Sequence, residues 1–183
     1  MVLSRLFGRD PAREAALKLH AALATQARNP AFFATHGVPD TLDGRFDCLA
    51  LHAFLVLDRL KAEEGQEAAS LAQHLVDAFV EDMDRSVREL GVGDMGVARR
   101  VKQMAQALYG RSAVYSAALN DSDPAALDEA LRRNLFGTVE APPADGIAAV
   151  ARYMREARGT LAATALARLT DGTPVFPEPS AAV

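Results

Sequence analysis

Cys48 and His52 stand four residues apart, a spacing that sets a thiol and an imidazole on one face of a helix. Such a pair could supply two zinc ligands, or a cysteine nucleophile with its base. Zinc needs a second pair of ligands, and none is evident. A nucleophile needs access, and residues 49–57 around the pair are apolar apart from His52 itself. The favoured reading is a buried thiol beside a hydrogen-bonded core histidine. A di-iron bundle would need a Glu three residues before a His on two helices, and none of His20, His36, His52 and His74 has that partner. Gly91-Val92-Gly93-Asp94 is glycine-rich, but no strand precedes it, so it does not read as a phosphate-binding fingerprint. No catalytic residue, metal site or cofactor is therefore expected.

Charge offers more. Glu81-Asp82-Met83-Asp84 could be paired carboxylates for acid–base work, yet Glu81 with Arg85 and Asp84 with Arg88 have the four-residue spacing of surface ion pairs. Arg99, Arg100 and Lys102 fall in the opening turns of a helix, where the dipole disfavours cations. Two sources of compensation stand open. One is Asp94 with the acidic end of the preceding helix; the other is an external partner carrying phosphate or carboxylate.

The elements that position these groups are helical. Of 183 residues half are hydrophobic and 24% charged, ordinary usage for one globular domain, and alanine, leucine and arginine dominate over strand-favouring types. Asp10-Pro11 opens a first helix that runs toward Asn29-Pro30. A turn carries Phe32 and Phe33, a loop follows from Gly37 to Gly44, and a second helix begins near Arg45. From Phe46 to Leu60 apolar residues point in nearly every direction, the pattern of a helix enclosed by others. Leu71, Leu75, Phe79, Met83, Val87 and Leu90 mark a third helix, with Gly91 as its cap. Val97, Val101, Met104, Leu108, Tyr115 and Leu119 mark a fourth, with Gly110 as a candidate close-packing point. A fifth starts at Asp123-Pro124, and a last long one carries Ile147, Val150, Met154, Leu161 and Leu169 until Asp171-Gly172 stops it. The expectation is an all-α fold, a single compact bundle of about six helices around a central buried one. Its bounds are 10–172, with an N-terminal extension over 1–9 and a flexible tail over 173–183 that has little to bury.

The net charge of -4 gives no global case for nucleic acid, and DNA is not an expected partner. A single cysteine suits a reducing compartment. The opening Met1-Val2-Leu3-Ser4-Arg5-Leu6-Phe7-Gly8-Arg9 is too short in its apolar part for a signal peptide, and no apolar run reaches the roughly 20 residues that cross a bilayer. Val2, Leu3, Leu6 and Phe7, interleaved with Arg5, Arg9 and Arg13, suit a peripheral contact with a membrane surface.

Two segments carry a family resemblance. They are Gly37-Val38-Pro39-Asp40-Thr41-Leu42-Asp43-Gly44-Arg45-Phe46-Asp47, running into Leu51-His52, and the stretch from Phe79-Val80-Glu81-Asp82-Met83-Asp84 through Arg85-Ser86-Val87-Arg88-Glu89-Leu90 to Gly91-Val92-Gly93-Asp94. With Arg100-Val101, Met104-Ala105, Ala107-Leu108-Tyr109-Gly110-Arg111 and Arg133-Asn134-Leu135-Phe136-Gly137, they resemble the ubiquinol-cytochrome c chaperones, collinearly between Pro30 and Arg158. The resemblance implies a non-enzymatic helical assembly factor that binds newly made cytochrome b and holds it until haem insertion and incorporation into ubiquinol-cytochrome c reductase. It also implies the ribosome as a partner, since mitochondrial relatives work there with a small partner protein. The composition points instead to a bacterial cytoplasm, with residues 1–9 touching the inner face of the cell membrane.

An apolar client requires apolar surface outside the chaperone's own core. Phe79, Met83, Met104 and Tyr109 are candidates, methionine being suited to adaptable contacts. Asp82, Asp84, Arg99, Arg100 and Lys102 complete the expected partner-binding set, while core packing is the competing reading for each apolar member. The alternative function is a helical protein- or RNA-interaction module without a membrane-protein client.

Overall fold

A computed structural model describes residues 10–179; the proposed membrane contact at residues 1–9 lies outside the described part. Seven α-helices and one π-helical turn make up the regular structure among the described residues. Helix α1 (Pro11–Ala27) starts where the Asp10 carboxylate accepts from the backbone N–H of Ala12 and Arg13, with Pro11 in the first turn. The π turn spans Ala31–Thr35. Helix α2 (Leu42–Lys61) begins earlier than the Arg45 start read from the sequence, because Thr41 Oγ1 accepts from Gly44 N–H and caps it. Then come α3 (Gln66–Glu89), α4 (Asp94–Asn120), α5 (Ala125–Asn134), α6 (Ala144–Ala163) and α7 (Leu166–Thr170). Gly65 and Gly91 take positive φ at the two ends of α3, the conformation that only glycine adopts without strain.

Helix α2 is the centre. Residues 47–56 form an unbroken buried run, and α1, α3, α4 and α6 all pack against it. Burying every face of one helix concentrates the apolar area that stabilises the fold. Helix α1 lies along α3, α5 bridges α4 and α6, and α7 returns to α1. Helix α4 is only partly enclosed: over 27 residues only Val97, Leu108 and Tyr115 are buried.

Three features differ from the sequence reading. The last long helix is two helices, because Thr164 turns extended at ψ 125° while the Arg59 guanidinium donates to the freed carbonyls of Leu161 and Thr164. Gly110 is no close-packing point, since a Cβ there would meet nothing within 4 Å. Over residues 173–179 the tail buries more than its composition suggested. Phe176 packs on the core and edges the His52 ring, Pro177 O accepts from Gln26 Nε2, and Pro179 is buried.

Candidate partner-binding groove

Cys48 and His52 belong to the core, as their spacing suggested. His52 Nδ1–H donates to Cys48 O at 2.8 Å, which leaves Nε2 to accept from Tyr153 O–H at 2.7 Å, and Tyr153 Oη in turn accepts from Gln26 at 3.1 Å. This relay ties α1, α2 and α6 together. Full burial pushes His52 down to about 4 and raises the Cys48 thiol, so the imidazole is neutral and the thiol protonated at neutral pH. Neither is reachable by a substrate. Among the described residues no cluster of three or more His, Cys, Asp or Glu could hold a metal ion.

The accessible chemistry gathers where the N-terminal end of α2, the C-terminal end of α3 and the first half of α4 meet. A hollow of about 630 Å³ there adjoins one of about 240 Å³, and the two share Leu42, Phe46, Val87, Leu90 and Met104 as lining. They make one groove with an apolar floor. Its mouth leaves Leu42 67% and Leu90 54% exposed. Side chains this apolar and this open are unusual when they cluster on one face.

A buried ion pair forms the groove's polar wall. Arg111 Nη2 lies 2.6 Å from Asp47 Oδ1, its Nε donates to Asn134 O at 3.3 Å, and its guanidinium stands 5.6 Å over the Phe46 ring. Burial raises the Asp47 carboxyl to about 6, more than the adjacent Arg111 lowers it, with Asp43 adding to the rise. The guanidinium is thus fixed on three sides.

The expected partner-binding residues do not form one surface. Arg100 and Met104 line the larger hollow, and Met83 and Asp82 line the smaller with Met104. At about 100° per residue, Arg99 falls on the side of α4, about 110° from the middle of the face that carries Arg100, Met104, Ala107 and Arg111, while Lys102 falls on the far side. All three cations are exposed, and none has an ion-pair partner among the described residues. Asp94, the internal candidate to compensate them, pairs with Arg88 instead, at 2.6 Å. Asp84 also pairs with Arg88 at 2.6 Å, as its spacing suggested, but Glu81 reaches across to Arg13 and Arg85 to Asp82. Phe79 is a core residue, 1% exposed and edge-on to Phe46 and His20, so it offers no surface to a partner. Met83, 6% exposed, shows the groove little more than an edge.

Tyr109, 59% exposed, belongs to a second hollow between α2, α3 and α4, walled by Ser112, Ala113, Ser116 and Ala117. Sequence reasoning missed Leu42, Phe46, Asp47, Val87, Leu90 and Arg111 as groove residues. One signal was present: Asp47 is a carboxylate at the edge of the otherwise apolar run.

Comparison with known proteins bears on this groove. A family model described as ubiquinol-cytochrome C chaperone matches residues 34–176, which contain every groove residue except the N-terminal part of the smaller hollow. The chain is 35% identical to the protein in the crystal structure of the Cbp3 homolog from Brucella abortus, with a TM-score of 0.82 and coverage of 98% of both chains. It is 26% identical over 122 residues to ubiquinol-cytochrome-c reductase complex assembly factor 1 of Xenopus laevis, a match that takes in 67% of this chain and 60% of that relative's length.

Proposed function

The chain belongs to the ubiquinol-cytochrome C chaperone family, and from that premise we propose that it is a non-enzymatic assembly factor that binds newly made cytochrome b and promotes its incorporation into ubiquinol-cytochrome c reductase. The observation that carries the reading is the family match over most of the chain, joined by the near-complete structural overlap with the Cbp3 homolog. Physical support comes from the groove. A carrier for an apolar client needs apolar surface that its own core does not consume, and Leu42, Leu90 and Met104 supply it beside the unpaired Arg100. Of the expected contact residues, Arg100, Met104, Asp82 and the edge of Met83 are carried into this proposal; Tyr109 would serve a second contact on the neighbouring face.

Location is part of the proposal. No helix among the described residues is long and apolar enough to cross a membrane. The proposal sets the chain on the cytoplasmic side, with the apolar and basic residues of 1–9 as a peripheral membrane contact. Cells lacking this chain should lose cytochrome b and ubiquinol-cytochrome c reductase while other respiratory complexes stay near normal, and a tagged copy should co-purify cytochrome b. Unchanged cytochrome b in the deletion would reject the function. An RNA-interaction module is the second reading, favoured only by the cations of α4; it requires that nuclease treatment release the partner and that binding fall steeply with salt.

A further inference from the structure

The free charge of the groove is lopsided. Asp47 is held by Arg111, Asp82 faces Arg85 and His20, and Arg133 on the far wall is held by Glu129. Among the lining residues, Arg28 and Arg100 are cations without an ion-pair partner among the described residues. The carboxylate left without one is Asp43, in the first turn of α2, where the helix dipole already stabilises it. An apolar floor flanked by unspent guanidinium groups is complementary to a segment that presents large apolar side chains on one side and carboxylates beside them. Apart from the turn at Gly137 and Thr138 the walls are helices, and among the described residues no strand edge is offered, so the fitting backbone form is an amphipathic helix laid into the groove.

Two other anionic partners fit less well. Single-stranded nucleic acid needs open aromatic faces for its bases, and the groove's one ring, Phe46, is covered by the Arg111 guanidinium. A bilayer is met by projecting side chains, whereas this surface is concave. We infer that the groove between α2, α3 and α4 is a docking site for an acidic amphipathic helix of a protein partner, with Arg100 receiving its carboxylate and Met104, Leu42 and Leu90 its apolar face. This deepens the assembly-factor reading and rests on it for the identity of the partner, though not for the chemistry.

The probes are two labelled synthetic helices of about 20 residues, both with leucine and methionine on one face, one carrying glutamate and the other lysine on the opposite face. The full-length chain is titrated with each. The glutamate helix should bind, the lysine helix should bind at least about tenfold more weakly, and Arg100→Glu and Met104→Glu should each weaken the glutamate helix about tenfold. Lys102→Glu, the same charge change on the far side of α4, should cost less than about twofold, and all three variants are checked for unchanged melting. Equal binding of the two helices, or equal losses from Arg100→Glu and Lys102→Glu, would overturn the proposal. So would Arg100-dependent capture of anionic vesicles without capture of the glutamate helix. Cytochrome b co-purification on the same variants separates the two readings. Undiminished capture by Arg100→Glu overturns the groove as the docking site and leaves the assembly function; helix binding by a chain that captures no cytochrome b supports the groove and rejects the function.

Discussion

Burial acts on Asp47 and His52, five residues apart on α2, by the same physics and with opposite pH signs. Low dielectric disfavours charge, so the carboxyl holds its proton up to about 6 while the imidazole refuses one down to about 4. Between pH 6.5 and 4 the unfolded chain protonates His52 and the folded one does not, so His52 removes stability as pH falls. Between pH 6 and 3.8 the folded chain protonates Asp47 and the unfolded one does not, so Asp47 restores stability over much of the same window. Comparing wild type with Asp47→Asn in chemical denaturation isolates the second contribution, because all other groups cancel. The wild-type advantage should be about 2–2.5 kcal/mol more favourable at pH 4 than at pH 7. An advantage that shrinks toward acid would mean that Asp47 is an ionised partner of Arg111 throughout. The Cys48–His52 arrangement was legible from spacing alone, because both its residues lie on one helix. Asp47's partner was not, because Arg111 is far along the chain and nothing local selects it.

Helices are the scale at which the chain is most legible. The cap at Asp10, the Gly91 that ends α3 and the enclosed face pattern of α2 were read from adjacent residues, whereas the equally local Thr41 cap was missed and the start of α2 was placed near Arg45. Where a helix is shaped by something distant, reading failed. The break between α6 and α7 is made by Arg59 of α2 capping the carbonyls of Leu161 and Thr164. Glycines show the same divide. Gly146 in the first turn of α6 lies against the carbonyl of His36, where any Cβ would strike backbone, whereas Gly110 in α4 faces open space. Gly146→Ala should therefore destabilise by about 2 kcal/mol or more, because a backbone must move. Gly110→Ala should stabilise by about 0.5–1 kcal/mol, since alanine replaces a flexible residue inside an exposed helix. Thermal melts of the two single variants check both signs, and a neutral or stabilising Gly146→Ala would refute the close approach of α6 to the π turn.

For the whole molecule, the chain end is the informative part. The extended stretch after α7 covers the His52–Tyr153–Gln26 relay, with Phe176 against the imidazole and the Pro177 carbonyl taking the Gln26 amide. Phe176→Ala should lower stability by about 1–2 kcal/mol, less than a full core deletion because the ring is only partly buried. The same variant should raise the His52 pKa toward its ordinary value, visible in the imidazole resonances by NMR, because water then reaches the ring. Unchanged melting and an unchanged His52 titration would show that the tail lies on the surface without sealing it.

What the sequence by itself determined is the helical class, the central position of α2, most helix boundaries and the family. Each is carried by local periodicity, capping residues or collinear motifs, and needs no knowledge of which helix faces which. Tertiary structure decided the rest. It sent Phe79 into the core, gave Asp94 to Arg88 and Glu81 to Arg13, and assembled a groove from α2, α3 and α4, flanked by α1 and α5, whose lining runs from Ala24 to Thr138. The physical reason is one of range. A helical face is set by neighbours three and four residues away, whereas a groove and its unspent charge exist only after whole helices have chosen their partners.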